Sequence, residues 1–133
     1  MSFALHRAGT VSEAMAAARR LGPQARFIAG GTDLMIQINR KRVAPAHLID
    51  ISRLDELSGI EDRNDRYVIG ALTTHKALER FAPFGVAFAA LPESARKVGG
   101  HQVRNIATVG GNVANASPAA DVVVLVRNLV LGF

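Results

Sequence analysis

Two pairs of adjacent glycines stand where the chain could bind an anionic ligand, and the first pair is Gly30-Gly31. It follows the apolar stretch Arg26–Ala29, interpreted here as a short buried strand. It precedes Leu34–Ile38, an apolar run that fits either a helix or a strand and for which a short helix is favoured. Glycines accept positive φ and let the backbone approach a ligand closely, while free N–H groups at a helix start carry positive partial charge. The order of elements therefore predicts a phosphate-binding loop, in which Thr32 adds a hydroxyl and Asp33 caps the helix.

An isolated glycine pair is also the ordinary mark of a tight turn. This segment has neither the G-x-G-x-x-G spacing of dinucleotide-binding folds nor the Gly-Lys-Ser/Thr of the P-loop. A plain turn at Gly30-Gly31 therefore stays open as the alternative on these residues alone.

The second pair, Gly110-Gly111, lies in a stretch of small and hydrogen-bonding residues that runs from Thr108 to Asp121. Small side chains permit close approach of a large flat ligand, and the polar groups of Thr108, Asn112 and Asp121 would fix it in place. Ser117 lacks the G-x-S-x-G setting of a nucleophilic serine. We expect a second binding loop here, with no catalytic residue.

The remaining polar residues show no catalytic or metal-binding pattern. The four histidines are far apart in sequence and lack i, i+4 or His-x-Glu spacing, so no metal ligand is expected among His6, His47, His75 and His101. His101 is interpreted as a surface turn residue beside the second pair. Arg104 has two open roles, either as an anion contact or as a residue that orients the loop through hydrogen bonds.

Several elements must position the first glycine pair. Thr10 and Glu13 form a capping box ahead of an alanine-rich amphipathic stretch that ends at Gly22-Pro23, which predicts a helix over 11–21. A strand is predicted over 46–51. A hairpin of 60–61 and 67–69 follows around a polar turn, and a boundary between two subdomains is expected near residue 55.

The second half carries further helices, predicted over about 74–80 and 86–98, the latter ending at Gly99-Gly100. A polar turn is expected from there into Ala107. The last residues, 121–133, are apolar, with Val122–Leu125 and Leu129–Leu131 as their most apolar parts. We expect this end of the chain to associate with another chain or a second copy.

Composition excludes several classes of protein. The 133 residues are 49% hydrophobic and 20% charged, which is typical of a folded domain, and no apolar run approaches the ~20 residues of a membrane span. The chain has no cysteine, so any metal centre must belong to a partner, and with no signal-peptide pattern we expect a cytoplasmic protein. The net charge of +5 is scattered without stacking aromatics, which argues against nucleic-acid binding.

Two long motifs, the second of them in two parts, give a specific resemblance. The chain carries Ala-Gly-Gly-Thr-Asp-Leu at 29–34, Gln-Val-Arg-Asn-Ile-Ala-Thr-Val-Gly-Gly-Asn at 102–112 and Ser-Pro-Ala-Ala-Asp at 117–121. It resembles the flavin adenine dinucleotide (FAD)-binding domain of molybdopterin dehydrogenases, which includes medium subunits of carbon monoxide dehydrogenase and the corresponding part of xanthine dehydrogenase. The resemblance covers the chain from its N-terminus to about residue 121.

The resemblance implies an α+β fold of two small subdomains with FAD between them, similar to the vanillyl-alcohol-oxidase-type FAD-binding fold. Subdomain 1 would span 1–55, and subdomain 2 would span 56–133 and be incomplete. It further implies that FAD is contacted by residues of both: Phe27, Ile28, Ala29, Gly30, Gly31, Thr32, Asp33 and Leu34 from the first, and Val98, Thr108, Val109, Gly110, Gly111, Asn112 and Asp121 from the second. For Val98, a plain helix-core role is the alternative.

The resemblance also implies partners. Family members pass electrons from the iron–sulfur clusters of a small subunit, reduced by a large molybdenum-cofactor subunit, through FAD to an external acceptor. This chain is shorter than its relatives, which continue beyond residue 133. Two alternatives therefore stay open: a non-catalytic nucleotide- or anion-binding module, and an interaction domain that oligomerises through its apolar end.

Overall fold

By its internal contacts the chain divides after Glu56 into unit 1, residues 1–56, and unit 2, residues 57–133. The structure is a computed structural model that describes residues 2–86 and 88–115. The boundary predicted from sequence lies one residue earlier. Asp121 and the apolar segment 122–131 lie outside the described residues.

Unit 1 is a small parallel sheet with helical connections. Its elements, in chain order, are β1 (Ala4–Arg7), α1 (Val11–Leu21), β2 (Ala25–Ile28), α2 (Leu34–Asn39) and β3 (His47–Asp50). The strand order is β1-β3-β2, and β3 pairs in parallel with both neighbours. Since parallel strands need crossover connections, the helices between them are what the topology requires.

The central strand β3 supplies most of the core of unit 1. Leu48 and Ile49 point to opposite faces of the sheet and are each only 1% exposed, so both faces are covered. Ala14 of α1, Ile38 of α2 and Leu54 complete the buried apolar set. Each fully buried aliphatic side chain contributes roughly 1.5–3 kcal/mol to stability.

The start of α1 confirms the predicted capping box. Thr10 Oγ1 accepts a hydrogen bond from the Glu13 N–H at 3.1 Å, and Glu13 Oε2 accepts one from the Gly9 N–H at 2.7 Å. Glu56 Oε1 accepts a third from the Val11 N–H at 2.7 Å. These bonds satisfy donors that no helical carbonyl can reach.

In the described part of unit 2, residues 57–86 and 88–115, a hairpin is followed by four short α-helices. Its elements are β4 (Ile60–Asp62), β5 (Tyr67–Ile69), α3 (His75–Arg80), α4 (Ala90–Arg96), α5 (His101–Ile106) and α6 (Val109–Asn115). The hairpin β4–β5 is antiparallel, as predicted. The core consists of the buried side chains Leu78, Phe84, Leu91, Ala95 and Val109, with Tyr67 stacked edge-on against Phe84.

The predicted helix over 86–98 is confirmed in type but wrong at its start. Helix α4 begins at Ala90, and Val86 is 95% exposed. Pro92 explains the late start, because a start at residue 86 would place a residue without an N–H in the helix interior. Beginning at Ala90, the helix keeps Pro92 in the first turn, where no N–H is required.

Two further predictions in unit 2 are wrong. The polar turn expected before Ala107 is the helix α5, and the second glycine pair lies in the first turn of α6 rather than in a loop. Gly99 has φ +53 and separates α4 from α5. Thr108 caps α6, since its Oγ1 accepts a hydrogen bond from the Gly111 N–H, and both glycines lie within the helix.

Across residues 2–86 and 88–115, no helix has the length and apolar character to cross a bilayer.

Candidate functional site

The first glycine pair lies at the carboxyl end of the unit 1 sheet. Strands β1, β2 and β3 run in parallel, so Arg7, Ile28 and Asp50 end at the same edge. The segment 29–33, here called glycine segment 1, leaves β2 at this edge and enters α2. The predicted order of strand, glycines and short helix is confirmed, but the expected burial of the strand is wrong, since Arg26 and Phe27 are exposed. This edge is where open parallel sheets bind ligands.

Gly31 has the conformation that requires glycine. Its φ is +72°, and a Cβ built on it would lie 3.2 Å from Ile28 Cδ1 and 3.4 Å from Met35 Cγ. Its carbonyl accepts the first hydrogen bond of the α2 region, from the Met35 N–H at 3.1 Å. A Cβ at this position would therefore meet apolar side chains of unit 1, so the glycine is needed to shape the segment itself.

The N–H groups of Ala29 to Leu34 are available to a ligand. None of them donates any of the hydrogen bonds found within 2–86 and 88–115. Buried or half-buried N–H groups are normally paired, and Ala29, Gly30, Gly31 and Thr32 are all half-buried. A row of unused donors on a glycine backbone is the arrangement that binds phosphate oxygens.

Asp33 does not cap α2, contrary to the expectation from sequence. It makes no side-chain capping bond, and its φ of −94° and ψ of −45° are helical. A capping side chain needs an extended backbone to reach the N–H groups ahead of it. Among the described residues, no side-chain cap accepts from the first N–H groups of α2.

Asp50 places a negative charge at the same sheet edge. Burial raises the pKa of its carboxyl, but hydrogen bonds from Ser52 and the charges of Arg7 and Arg53 outweigh this and lower the pKa below its ordinary value. The Ser52 N–H donates to Asp50 Oδ1 at 2.9 Å, and Arg7 Nε lies 3.9 Å from Oδ2. Asp50 is thus an ionised carboxylate already engaged by its own neighbours.

The second glycine pair is anchored to the segment 71–73 of unit 2. The Val109 N–H donates to the Thr73 carbonyl at 2.9 Å, and the Gly110 N–H donates to the Ala71 carbonyl at 2.8 Å. A Cβ on Gly110 would lie 2.7 Å from that Ala71 oxygen. The missing side chain at Gly110 therefore serves protein packing, and Val109 belongs to the core.

Thr108 and Asn112 differ in how their polar groups are used. Thr108 Oγ1 accepts a hydrogen bond from the Gly111 N–H at 3.1 Å. Asn112 Oδ1 is buried and has no hydrogen-bond partner among the described residues. A buried acceptor without a donor costs about 1–3 kcal/mol, so Asn112 Oδ1 is a candidate acceptor for a hydrogen bond from a ligand.

The other residues named from sequence have structural contacts. Val98 is half-buried and packs against the core of unit 2, but it lies in the turn after α4 rather than in a helix, so only the core part of the helix-core alternative agrees with the structure. Arg104 Nη1 donates to the Arg96 carbonyl at 3.1 Å and to the Gly99 carbonyl at 3.0 Å, so it orients the turn between α4 and α5. Asp121 lies outside the described residues.

The structure also brings together residues that the sequence reasoning missed. His6 Nε2 and His47 Nδ1 are 3.1 Å apart on neighbouring strands, although the histidines showed no pairing in sequence. Glu79 lies among three cationic side chains from three helices. Of these contacts, only the Lys76–Glu79 pair had a signal in the sequence, namely its i, i+3 spacing.

Within the described ranges, no group of three or more His, Asp or Glu residues could hold a metal ion.

Comparison with known families decides the relationship. The family described as "FAD binding domain in molybdopterin dehydrogenase" matches residues 1–129. The chain belongs to this family. The resemblance inferred from the two motifs is therefore confirmed, and so is FAD as the cofactor of the family.

Individual relatives agree with this family. The carbon monoxide dehydrogenase medium chain of Hydrogenophaga pseudoflava is 36% identical over 119 residues, covering 90% of this chain and 42% of the relative. The xanthine dehydrogenase FAD-binding subunit of Escherichia coli O157:H7 is 38% identical over 117 residues, covering 87% and 40%. The chain thus spans about two fifths of the length of these curated relatives.

Solved structures support the same fold. The reconstituted CO dehydrogenase from Oligotropha carboxidovorans matches with a TM-score of 0.87 at 33% identity, over 92% of this chain and 43% of the other. Quinoline 2-oxidoreductase from Pseudomonas putida 86 matches with a TM-score of 0.86 at 27% identity, over 92% and 42%. The expected mixed fold of small sheets and helices in this FAD-binding family is confirmed.

Proposed function

We propose that this chain supplies the FAD-binding portion of the medium subunit of a molybdenum-containing hydroxylase or dehydrogenase. Family membership over residues 1–129 supports the role. The observation that carries it is the row of unused N–H donors from Ala29 to Leu34. The residues present fit the cofactor, because a dinucleotide brings phosphate oxygens to such donors and hydroxyl and N–H donors to unused acceptors.

In this proposal glycine segment 1 and its flanks, Phe27 to Leu34, bind the pyrophosphate. Gly31 at φ +72° turns the backbone so that successive N–H groups stay free of internal partners. Phosphate oxygens accept these hydrogen bonds strongly because they are charged. Phe27 is 45% exposed at the end of β2 and offers an apolar surface beside the phosphates.

The second contribution comes from the segment Thr108 to Asn112 of unit 2, in which Val109 and Gly110 hold the start of α6 to 71–73 while Gly111 and Asn112 contact FAD. Asn112 Oδ1 accepts a hydrogen bond from a hydroxyl or N–H group of FAD, which removes the cost of its unpaired burial. Gly111 is exposed and without a side chain, so the cofactor can approach the start of α6. Contacts from Val98 and Asp121 stay predictions.

Bound FAD supplies one- and two-electron redox chemistry, and this chain's residues bind and orient it. We propose that electrons arrive from the iron–sulfur clusters of a small subunit, which a large molybdenum-cofactor subunit reduces, and leave to an external acceptor. The names of the relatives as medium chains and FAD-binding subunits support such partners. No residue of this chain is assigned acid–base chemistry, and a cytoplasmic location is part of the proposal.

We further propose that the apolar stretch 122–131 mediates association with a second copy or a partner subunit. The support is its composition, with Val122–Leu125 and Leu129–Leu131 uncharged. Light scattering tests it by comparing the chain with a Val123→Asp and Val130→Asp double variant. A variant whose oligomeric state equals that of the unchanged chain would refute the association.

The flavin absorbance held by the purified chain in equilibrium dialysis against FAD tests the main function. We expect the near-ultraviolet and blue bands of oxidised flavin, at one FAD per chain. Absence of these bands at saturating FAD would overturn the proposal.

A non-catalytic nucleotide-binding module is the second candidate, because N–H donors accept any phosphate group. Titration with ADP separates the two functions. Equal affinity for ADP and FAD would favour the module, whereas much tighter FAD binding would favour a flavoprotein.

A further inference from the structure

Glu79 of α3 is a carboxylate surrounded by cations from three helices of unit 2. Its Oε2 lies 3.5 Å from Arg104 Nε of α5 and 4.0 Å from Lys76 Nζ of α3 itself. Its Oε1 lies 3.7 Å from Arg96 Nε of α4. The Glu79 side chain is only 19% exposed, so these charges are partly shielded from water.

Arg104 extends this ion cluster to the backbone. While Nε faces Glu79, Nη1 donates to the carbonyls of Arg96 and Gly99. One guanidinium therefore attracts Glu79 of α3 by charge, without a hydrogen bond between Nε and Oε2, and hydrogen-bonds the end of α4 and the turn that starts α5. The Arg104 side chain is 16% exposed. The planar guanidinium presents its N–H donors in fixed directions, which suits contacts with several groups at once.

Helix α5 leads directly into the proposed cofactor segment. The carbonyl of Ala107, just after α5, accepts a hydrogen bond from the His75 N–H at 3.1 Å, and Thr108 forms a β-bridge with Thr74. The start of α3 thus holds Thr108, while Glu79, one turn later in α3, holds α5 through Arg104. Two attachments along one helix fix the direction in which 108–112 leaves α5.

The charges in this cluster do not balance. Lys76, Arg96 and Arg104 bring three positive charges within 4.0 Å of the Glu79 carboxylate. Without that carboxylate the three cations would repel one another across α3, α4 and α5. The cost exceeds that of losing an exposed ion pair, because the Glu79, Lys76 and Arg104 side chains are mostly buried.

We propose that Glu79 is a positioning residue for the FAD site: its charge holds α5 against α3 and so fixes the segment Thr108 to Asn112. This inference rests on the proposed function, in which that segment contacts FAD. Glu79 itself touches no reacting group.

The test compares the unchanged chain with Glu79→Gln, which keeps the size and shape of the side chain but removes its charge. We expect about tenfold weaker FAD binding by flavin fluorescence titration, and about tenfold faster amide exchange at 107–112 in the FAD-free chain. Glu61→Gln is the matched control, since Glu61 pairs with Arg63 at 2.7 Å in the same unit but is 64% exposed. The control should change neither quantity.

Chemical rescue separates charge from packing. Glu79 and Arg96 line an open groove of about 450 Å³, so a small carboxylate can reach the position of the Glu79 side chain from the Arg96 side. Acetate, but not chloride at equal ionic strength, should restore slow exchange and FAD affinity to Glu79→Ala. No rescue by acetate, or a Glu79→Gln chain that behaves like the control, would overturn the proposal. If the unchanged chain binds no FAD, the proposed function fails, and the exchange measurement still decides whether Glu79 fixes 107–112.

Discussion

At the scale of single residues, Gly31 is the position where backbone conformation and proposed function meet most directly. Its φ of +72° costs an L side chain about 1–2 kcal/mol, and a Cβ there would press on Ile28 at 3.2 Å. We expect Gly31→Val to abolish measurable FAD binding, because the strained backbone relaxes and turns the donors of 29–34 away from the pyrophosphate. Titration with FAD, with circular dichroism to verify the fold, measures this.

Gly22→Val is the control for that experiment. Gly22 belongs to the same unit and has φ +65°, and a Cβ added there would have no heavy atom within 4 Å. With ψ −153° its conformation is almost confined to glycine, so strain of about 1–3 kcal/mol should appear in its melting curve without a change in FAD affinity. Equal FAD affinity in both variants would remove glycine segment 1 from the site.

Replacing Asn112 should raise the stability of the FAD-free chain and weaken its binding of FAD. Asn112→Ala removes a buried acceptor without a partner among the described residues and replaces asparagine by a better helix former in α6. We expect the FAD-free chain to gain about 1 kcal/mol in unfolding free energy, while FAD binding weakens about tenfold. Denaturant unfolding and FAD titration measure the two effects.

The exposed Asn105 of α5 provides the comparison, because Asn105→Ala gains the helix propensity without removing a buried acceptor. Its FAD affinity should stay unchanged. An Asn112→Ala chain that binds FAD as tightly as the Asn105→Ala chain would show that Oδ1 meets no cofactor group.

At the scale of elements, α6 depends on a close contact between two backbones. A Cβ on Gly110 would lie 2.7 Å from the Ala71 oxygen and 2.8 Å from the Ala71 Cβ. We expect Gly110→Ala to destabilise the FAD-free chain by about 1–3 kcal/mol, since an overpacked site must push α6 from the 71–73 segment. Thermal melting compares it with Gly100→Ala, which meets open space and should change stability by less than about 0.5 kcal/mol.

The elements that could be predicted from sequence are those with strong local signals. Helix α1 has a capping box, apolar periodicity and a Gly-Pro stop, and its predicted range is confirmed. Helix α5 has six mostly exposed residues, and the Arg104 contacts that hold it are tertiary. Strand β1 was missed for a similar reason, since four residues with a histidine and an arginine give no apolar alternation. Local patterns cannot show a helix or strand that distant contacts stabilise.

For the candidate site too, local sequence features could be predicted and tertiary contacts could not. The glycines and the phosphate-binding order of elements were visible in sequence, because both are local. The cluster around Glu79 was not, because its partners lie on three helices. Asp33 shows the opposite error, in which a residue of the right type stands in the wrong backbone conformation to cap.

At the scale of the whole molecule, the proposal requires one FAD to stabilise two units that each carry part of its contacts. FAD at about 100 times its Kd should stabilise the folded chain by about 2.7 kcal/mol. If the donors of 29–34 in unit 1 and Asn112 in unit 2 bind the same molecule, FAD must slow amide exchange in β3 and in α3 alike. Gly31→Val, although it lies in unit 1, should then lose the protection of α3 as well as that of β3. Exchange followed by mass spectrometry, with and without FAD, measures both. If Gly31→Val loses protection in β3 but keeps it in α3, the two glycine pairs belong to separate sites and the shared cofactor is wrong.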